Sequence, residues 1–189
     1  MYKNNNELIA AFNAGTKLEY VFFWGHSKSK DESVTKSCLS QWFPAPFKID
    51  GIRYETTEHY MMAEKARCFG DMEMEEKIIS TVHPKQAKAF GRAVKNFDPK
   101  VWNEEGFRAV VRGNIAKFQQ NEEMGDFLLD TNSRIIVEAS PRDRIWGIGM
   151  GQSNSQVENP NFWKGKNLLG YALMETRQAL RLGLEKQTL

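Results

Sequence analysis

From residue 57 to residue 131 the chain reads as one helical pattern after another, with short β segments on either side of that run. Thr56 or Thr57 can cap a first helix that carries Glu58 in its opening turn, where an acid suits the helix dipole. "DMEMEEKIIS" (71–80) is a second helical segment. "HPKQAKAFGRAVKNF" (83–97) is a third, with Pro84 where a helix start tolerates it and a stripe of Ala87, Phe90, Gly91 and Val94. "DPKVWNEEGFRAVVRGNIAKF" (98–118) begins on Asp98 and Pro99, and "EEMGDFLLDT" (122–131) is a short fifth. "NLLGYALMETRQALRL" (167–182) closes the chain as a long helix. The β segments are "KLEYVFFW" (17–24), the hairpin-like "FKIDGIRYE" (47–55) with its Asp-Gly turn, and "RIIVEA" (134–139). At 189 residues this predicts one α+β domain.

Hydrophobic residues make up 41% and charged residues 26%, enough for a packed core. A net charge of +2 is too small for nucleic-acid binding through a basic surface. Cys38 and Cys68 form no C-x-x-C pair, and His26, His59 and His83 form no H-E-x-x-H pattern. Nothing in the residues calls for a metal or a cofactor. The N-terminal "MYKNNNELIAAFNAG" lacks the regions of a signal peptide, and no apolar run approaches the roughly 18 residues of a membrane span. A cytoplasmic, reduced protein is expected. Oligomeric state is not legible.

Two helical stripes carry polar residues where apolar ones belong. In "TTEHYMMAEKAR" (56–67) the positions i, i+3, i+4 and i+7 from Glu58 are Met61, Met62 and Lys65. Such a stripe is either a surface face carrying methionines or the wall of a partly buried polar site, with Lys65 as the natural partner of Glu58 and a downward pull on its pKa. Asn114 interrupts the stripe Phe107, Val110, Val111, Ile115 and Phe118.

Between the last strand and the last helix runs the stretch 140–166, long for a connection inside one domain and rich in Trp and Gly, which favours function over disorder. Its "GIGMG" (147–151) is not the dinucleotide fingerprint G-x-G-x-x-G, although Gly147 can let backbone approach a ligand. Asp143 is either a loop carboxylate or a helix cap. Trp102, Trp146 and Trp163 are core residues or stacking platforms for a flat base. "WKGKN" (163–167) sets Lys166 and Asn167 at a helix start, an arrangement that suits a phosphate or a solvated turn equally. Carboxylates fit a glycosidic transition state, aromatics a nucleobase and cations a phosphate.

The blocks "LSQWFPAPFKIDGIRYETTEHYMMAEKARCFGD", "VWNEEGFRAVVRGNIAKF", "VEASPRDRIWGIGMG" and "WKGKNLLGYALMETR" resemble the NADAR (YbiA-like) family, in order and from about residue 20 to 182. The resemblance implies an α+β fold, mainly helical around a small β-sheet, over residues 20–189, with residues 1–19 as an N-terminal extension. It also implies an N-glycosidase. One activity tied to the family cleaves early riboflavin-pathway ribosylaminopyrimidine phosphates, and the other removes ADP-ribose from modified guanine in nucleic acid. The family's active-site Glu is matched by Glu58, a family Trp by Trp102, and the Asp before the W-G dipeptide by Asp143. Some relatives carry S-N-F where this chain has Ser40-Gln41-Trp42, so no role passes to Gln41 or Trp42.

The expected catalytic set is Glu58, Asp143, Trp102 and Lys65, the last either tuning Glu58 or acting as a Schiff-base amine. Trp146, Gly147, Lys166, Asn167 and Asn114 are expected to bind substrate. The partner is a small phosphoribosyl or ADP-ribosyl molecule, or ADP-ribosylated nucleic acid, with no membrane. The rival class is a non-catalytic ADP-ribose or nucleotide-binding module.

Overall fold

The computed structural model describes residues 2–31 and 33–183. Their order is α1 (Asn5–Asn13), β1 (Tyr20–Phe23), a 3-10 turn (Lys36–Leu39), β2 (Phe47–Ile49), β3 (Ile52–Tyr54), α2 (Thr57–Cys68), α3 (Met72–Ser80), α4 (Pro84–Arg92), α5 (Pro99–Gln120), α6 (Glu122–Asp130), β4 (Ile135–Glu138), a second 3-10 turn (Pro160–Phe162) and α7 (Leu168–Leu182). This is the mainly helical α+β architecture, with its strands in two small pairs. β1 and β4 run parallel, from Tyr20 opposite Ile135 to Phe23 opposite Glu138. β2 and β3 form the expected hairpin, and Asp50 and Gly51 take the positive φ values (51° and 77°) of its tight turn.

Local chemistry sets the boundaries. Thr56 caps α2 by accepting from His59 N–H, Asp71 caps α3 through Met74 N–H, and Asp98 caps α5 through Lys100 N–H. The third helix stops at Arg92 rather than reaching residue 97, and Asn96 adopts a left-handed conformation (φ 55°) in the turn that follows. α1 was not foreseen from the sequence. Asn4 caps it, Leu8 is fully buried, and Asn5 bonds both the Gly165 carbonyl and the Tyr171 hydroxyl, so the segment is fastened to the rest of the chain.

α2 is the centre of the molecule. It buries Thr57 through Ala63 without interruption, followed by Lys65 and Ala66. Two glycines let its neighbours come this close. A Cβ on Gly91 of α4 would lie 2.1 Å from Met62 Sδ, and one on Gly113 of α5 would lie 2.6 Å from the Tyr60 ring. On the far side α7 packs on β4, where a Cβ on Gly170 would sit 2.1 Å from the Ile136 carbonyl oxygen. Helices thus close over both the hairpin and the parallel pair. The N-terminus of α2 and the carboxyl end of β4 bring their acids to one region. No described helix is long and apolar enough to cross a membrane.

Candidate active site

Glu58 enters through the turn that starts α2. Its N–H donates to the Gln41 carbonyl (3.0 Å), and the Thr57 hydroxyl donates to the same oxygen (3.2 Å). The residue is 5% exposed. Taking a carboxylate out of water raises its pKa, and that burial is the dominant effect on Glu58. Lys88, a hydrogen bond from the Trp42 side chain and the charge of Arg92 pull the other way, while Asp143 adds to the rise. The expected downward pull is therefore overridden. The partner also changes. Lys88 of α4 places Nζ 3.9 Å from Glu58 Oε1. Lys65, seven residues and roughly 10 Å further along the helix axis, instead sets its ammonium 3.9 Å from the centre of the Phe97 ring. Burial and the charge of Arg92 lower the Lys65 pKa.

Asp143 anchors the long connection. Its Oδ1 accepts from the N–H groups of Ile145, Trp146 and Gly147 at 2.8, 2.8 and 3.5 Å, and Ser140 Oγ accepts from Asp143 N–H. This is a turn-capping carboxylate that also stands within electrostatic reach of Glu58. Gly147 is needed because a Cβ there would lie 2.9 Å from the Glu138 carbonyl and 3.1 Å from that of Asp143. The close approach it permits is between the protein's own backbones.

Asn167 and the start of α7 depart from the phosphate-cradle expectation. The N–H groups of Asn167, Leu168 and Leu169 donate to the carbonyls of Gly147, Ile145 and Trp146, so the dipole end is already capped by the chain itself. Asn167 is fully buried in a left-handed conformation, and its side chain donates to Ile136 O and accepts from Glu138 N–H. It grips β4 from a fully buried position and does not present its side chain to a phosphate. Lys166 is exposed and donates its N–H to Arg144 O, which leaves its ammonium free for solvent or ligand.

Asn114 is fully buried and donates to Gln41 Oε1 (3.0 Å) and Val110 O (2.8 Å). It therefore holds Gln41, whose carbonyl receives the Glu58 N–H. Gln41 Nε2 and Asn114 Oδ1 are both buried without a protein partner. Trp146 is half-buried against the core, and Trp102 lies over Gly106 one turn further along α5. Trp163 donates its indole N–H to Val157 O and meets Tyr20 edge-on, a packing role.

Sequence reasoning missed Glu138, Lys88 and Trp42. Glu138 ends β4 with Oε2 buried and unpartnered. Burial is the main cause of its upward shift to about 8, and Asp143 and Glu58 add to it while Lys88 opposes. The available signal was a carboxylate closing a strand whose other three residues are apolar and buried on both faces. Lys88 also lies 5.6 Å from the centre of the Trp42 ring, a cation–π arrangement that joins α4 to the loop before the hairpin. No sequence pattern links residues 42, 58, 88, 138 and 143.

The region thus gathers three carboxylates from α2, β4 and the long connection, with Lys88 and the Trp42 ring beside Glu58. Such a set can stabilise developing positive charge and move protons. Comparison with known proteins points the same way. The model of the NADAR domain family matches residues 22–181. A protein of Acanthamoeba polyphaga mimivirus named as an N-glycosidase is 42% identical over 165 residues, covering 85% of this chain and 95% of that protein. N-glycosidase YbiA of Escherichia coli (strain K12) is 34% identical over 137 residues, covering 72% and 77%. The NMR structure of the E. coli protein YbiA has a TM-score of 0.69 at 31% identity, covering 88% of this chain and 87% of that one.

Proposed function

Because the chain belongs to the NADAR domain family, we propose that it is an N-glycosidase, a hydrolase that splits the bond between a ribosyl anomeric carbon and a base nitrogen. The observation that carries this reading is Glu58, a buried carboxylate facing a lysine at 3.9 Å and in electrostatic contact with a second acid. N-glycoside cleavage passes through an oxocarbenium-like centre at C1′. A preorganised carboxylate in a region poor in water stabilises that centre more strongly than water can. Glu58 takes this role and receives the proton of the incoming water, and Lys88 favours its ionised form against the effect of burial. Asp143 holds the wall of the site in shape and is available to orient a ribose hydroxyl. Trp102 or Trp146 offers the flat surface for the base. The exposed cations Arg92 and Lys166 are the candidates for a phosphate or diphosphate.

The substrate class is a base carrying ribose phosphate or ADP-ribose. A riboflavin-pathway ribosylaminopyrimidine phosphate and an ADP-ribosylated guanine both satisfy it. The test is product analysis by mass spectrometry after separate incubation with each, with Glu58→Gln as control. Ribose 5-phosphate from the first alone makes the protein a metabolite-clearing glycosidase. Free ADP-ribose from the second makes it a de-ADP-ribosylase. Tight binding with both substrates intact would replace the enzyme reading with a nucleotide-binding module.

A further inference from the structure

We infer that Glu138 is the general acid of this site, the residue that delivers a proton to the departing base nitrogen. The inference rests on the N-glycosidase reading and adds to it the group that the leaving base requires. An amine or ring nitrogen leaves C1′ poorly as an anion, so a positioned acid is worth a large part of the rate.

Place and partners both favour Glu138. It is the last residue of β4, beside the end of the parallel strand β1, and it immediately precedes the connection that carries Asp143. Ligands of parallel β–α arrangements bind outside the carboxyl ends of the strands. Its backbone is held by the Asn167 side chain, which bonds the strand at Ile136 O and Glu138 N–H. Its Oε2 is buried, yet no group among the described residues bonds it. A buried oxygen without a partner is costly, and most such atoms in a folded protein are satisfied. An acceptor on a bound ligand would satisfy a protonated Oε2.

The titratable groups acting on Glu138 come from three directions: Asp143 from the connection, Glu58 from α2 and Lys88 from α4. Two are acids, and the lysine ion-pairs with Glu58. Glu58 has a hydrogen bond from Trp42 and the charge of Arg92 as well. The two glutamates therefore divide the work. Burial raises both, but Glu58 has an ion-pairing lysine and a Trp42 donor to oppose the rise, whereas Glu138 Oε2 has no bonding partner among the described residues. That difference in partners assigns the base role to Glu58 and the acid role to Glu138.

The step balances as follows. The C1′–N bond breaks with its electron pair passing to nitrogen, and the Glu138 proton moves to that nitrogen, leaving a carboxylate. Water adds to C1′, and its proton passes to Glu58. Exchange with solvent then returns one proton to Glu138 and removes one from Glu58. The net change is the N-glycoside plus water to the free base plus the sugar hemiacetal.

The experiment compares wild type and Glu138→Gln on two N-ribosides of one sugar. One carries a base that leaves only when protonated, and the other carries an N-alkylated cationic base that leaves as a neutral molecule. Expected is a roughly 10²–10⁴-fold loss of kcat/KM for Glu138→Gln on the first and less than a tenfold loss on the second. The fall of the wild-type pH profile on its alkaline side should also vanish in the variant. Equal losses on both substrates, or an unchanged alkaline limb, would overturn the assignment. A misfolded variant would lose both substrates equally, so Glu138→Asp is run beside it and should regain part of the rate on the demanding substrate alone. Inactivity of wild type on both ribosides would defeat the N-glycosidase reading itself, and Glu138 with it. An active wild type matched by an equally active Gln variant would defeat only the role of Glu138.

Discussion

At the carboxyl ends of β1 and β4 stand Glu58, Glu138 and Asp143; Lys88 ion-pairs with Glu58 and acts electrostatically on Glu138, and Glu138 Oε2 has no bonding partner among the described residues. At the amino ends of the same strands three arginines are held by hydrogen bonds. Arg134 donates to the carbonyls of Thr131 and Asp130, Arg181 to those of Leu129 and Asn132, and Arg177 to the Thr131 hydroxyl and the Arg134 carbonyl. These oxygens belong to the last turn of α6 and the residues after it, where helix carbonyls lack internal donors and the dipole favours cations. A cleft of about 1050 Å3, lined in part by Arg177, Arg181, Lys17 and Glu19, opens at this arginine end. A cleft of that volume could hold a ligand, yet the arginines in its wall are already bonded. The difference teaches that bonding state is the better guide: satisfied charges hold the fold together, and charges left short of partners are available for chemistry.

The sharpest way to break this contrast is to neutralise one acid. Glu58→Gln should lower turnover about 10²–10⁴-fold, read as product release, and leave the thermal midpoint equal or higher, because burial disfavours the Glu58 charge and the partly exposed Lys88 keeps its solvent. A variant as active as wild type would end the assignment. Next in size is the packing that brings the two ends of the sheet under α7. Gly170→Ala would press a methyl against the Ile136 carbonyl and should cost about 1–3 kcal/mol in urea unfolding. At the arginine end, Arg177→Met should cost about 1–3 kcal/mol through lost hydrogen bonds, with kcat/KM within about twofold of wild type. A large loss of activity at unchanged stability would erase the distinction between the ends.

The smallest effects are in pH dependence. Glu138 has its pKa raised to about 8. The folded state therefore holds a proton that the unfolded chain has lost, and its contribution is full below the ordinary glutamate range and fades as pH rises toward 8. Lys117 has the opposite sign. It is fully buried on α5, donates to Cys38 O (2.6 Å) and Ser40 O (3.1 Å), and is lowered to about 8 by burial. Here the unfolded chain binds the extra proton between about 8 and the ordinary lysine value, so stability rises with pH across that window. Urea titrations from pH 5 to 10 should show the first slope flattened in Glu138→Gln and the second in Lys117→Met. Unchanged slopes in both would mean that neither group is perturbed by its burial.

Periodicity and capping made most of the fold legible. The Asp-Gly hairpin, the Thr56 cap and the helices α2 to α7 follow from local patterns that single residues control. α1 was overlooked although Asn4 and Glu7 form a local cap, because what fastens the segment is Asn5, whose partners Gly165 and Tyr171 lie more than 150 residues away. The site was legible in its acids and not in its pairings. Glu58 and Asp143 stood out in their own segments, whereas Lys88 and Glu138 lie in an ordinary amphipathic helix and an ordinary strand. The helical wheel suggested Lys65 because it sees only one helix. The ion pair forms with the neighbouring helix, which comes close because Gly91 lets Met62 in. Likewise "WKGKN" has the residues of an anion site, but carbonyls from the preceding turn reach the helix start first.

The measurement that bears most directly on the carboxylate site as a glycosidic one is hydrolysis in 18O-labelled water, with the label located by mass spectrometry and Glu58→Gln as control. Attack at C1′ puts the label in the released sugar, and the variant should form the same product at a rate lower by about 10²–10⁴-fold. Label appearing in the base would mean that water attacks the base carbon instead. That outcome, or labelling of the sugar at an undiminished rate in Glu58→Gln, would contradict the account.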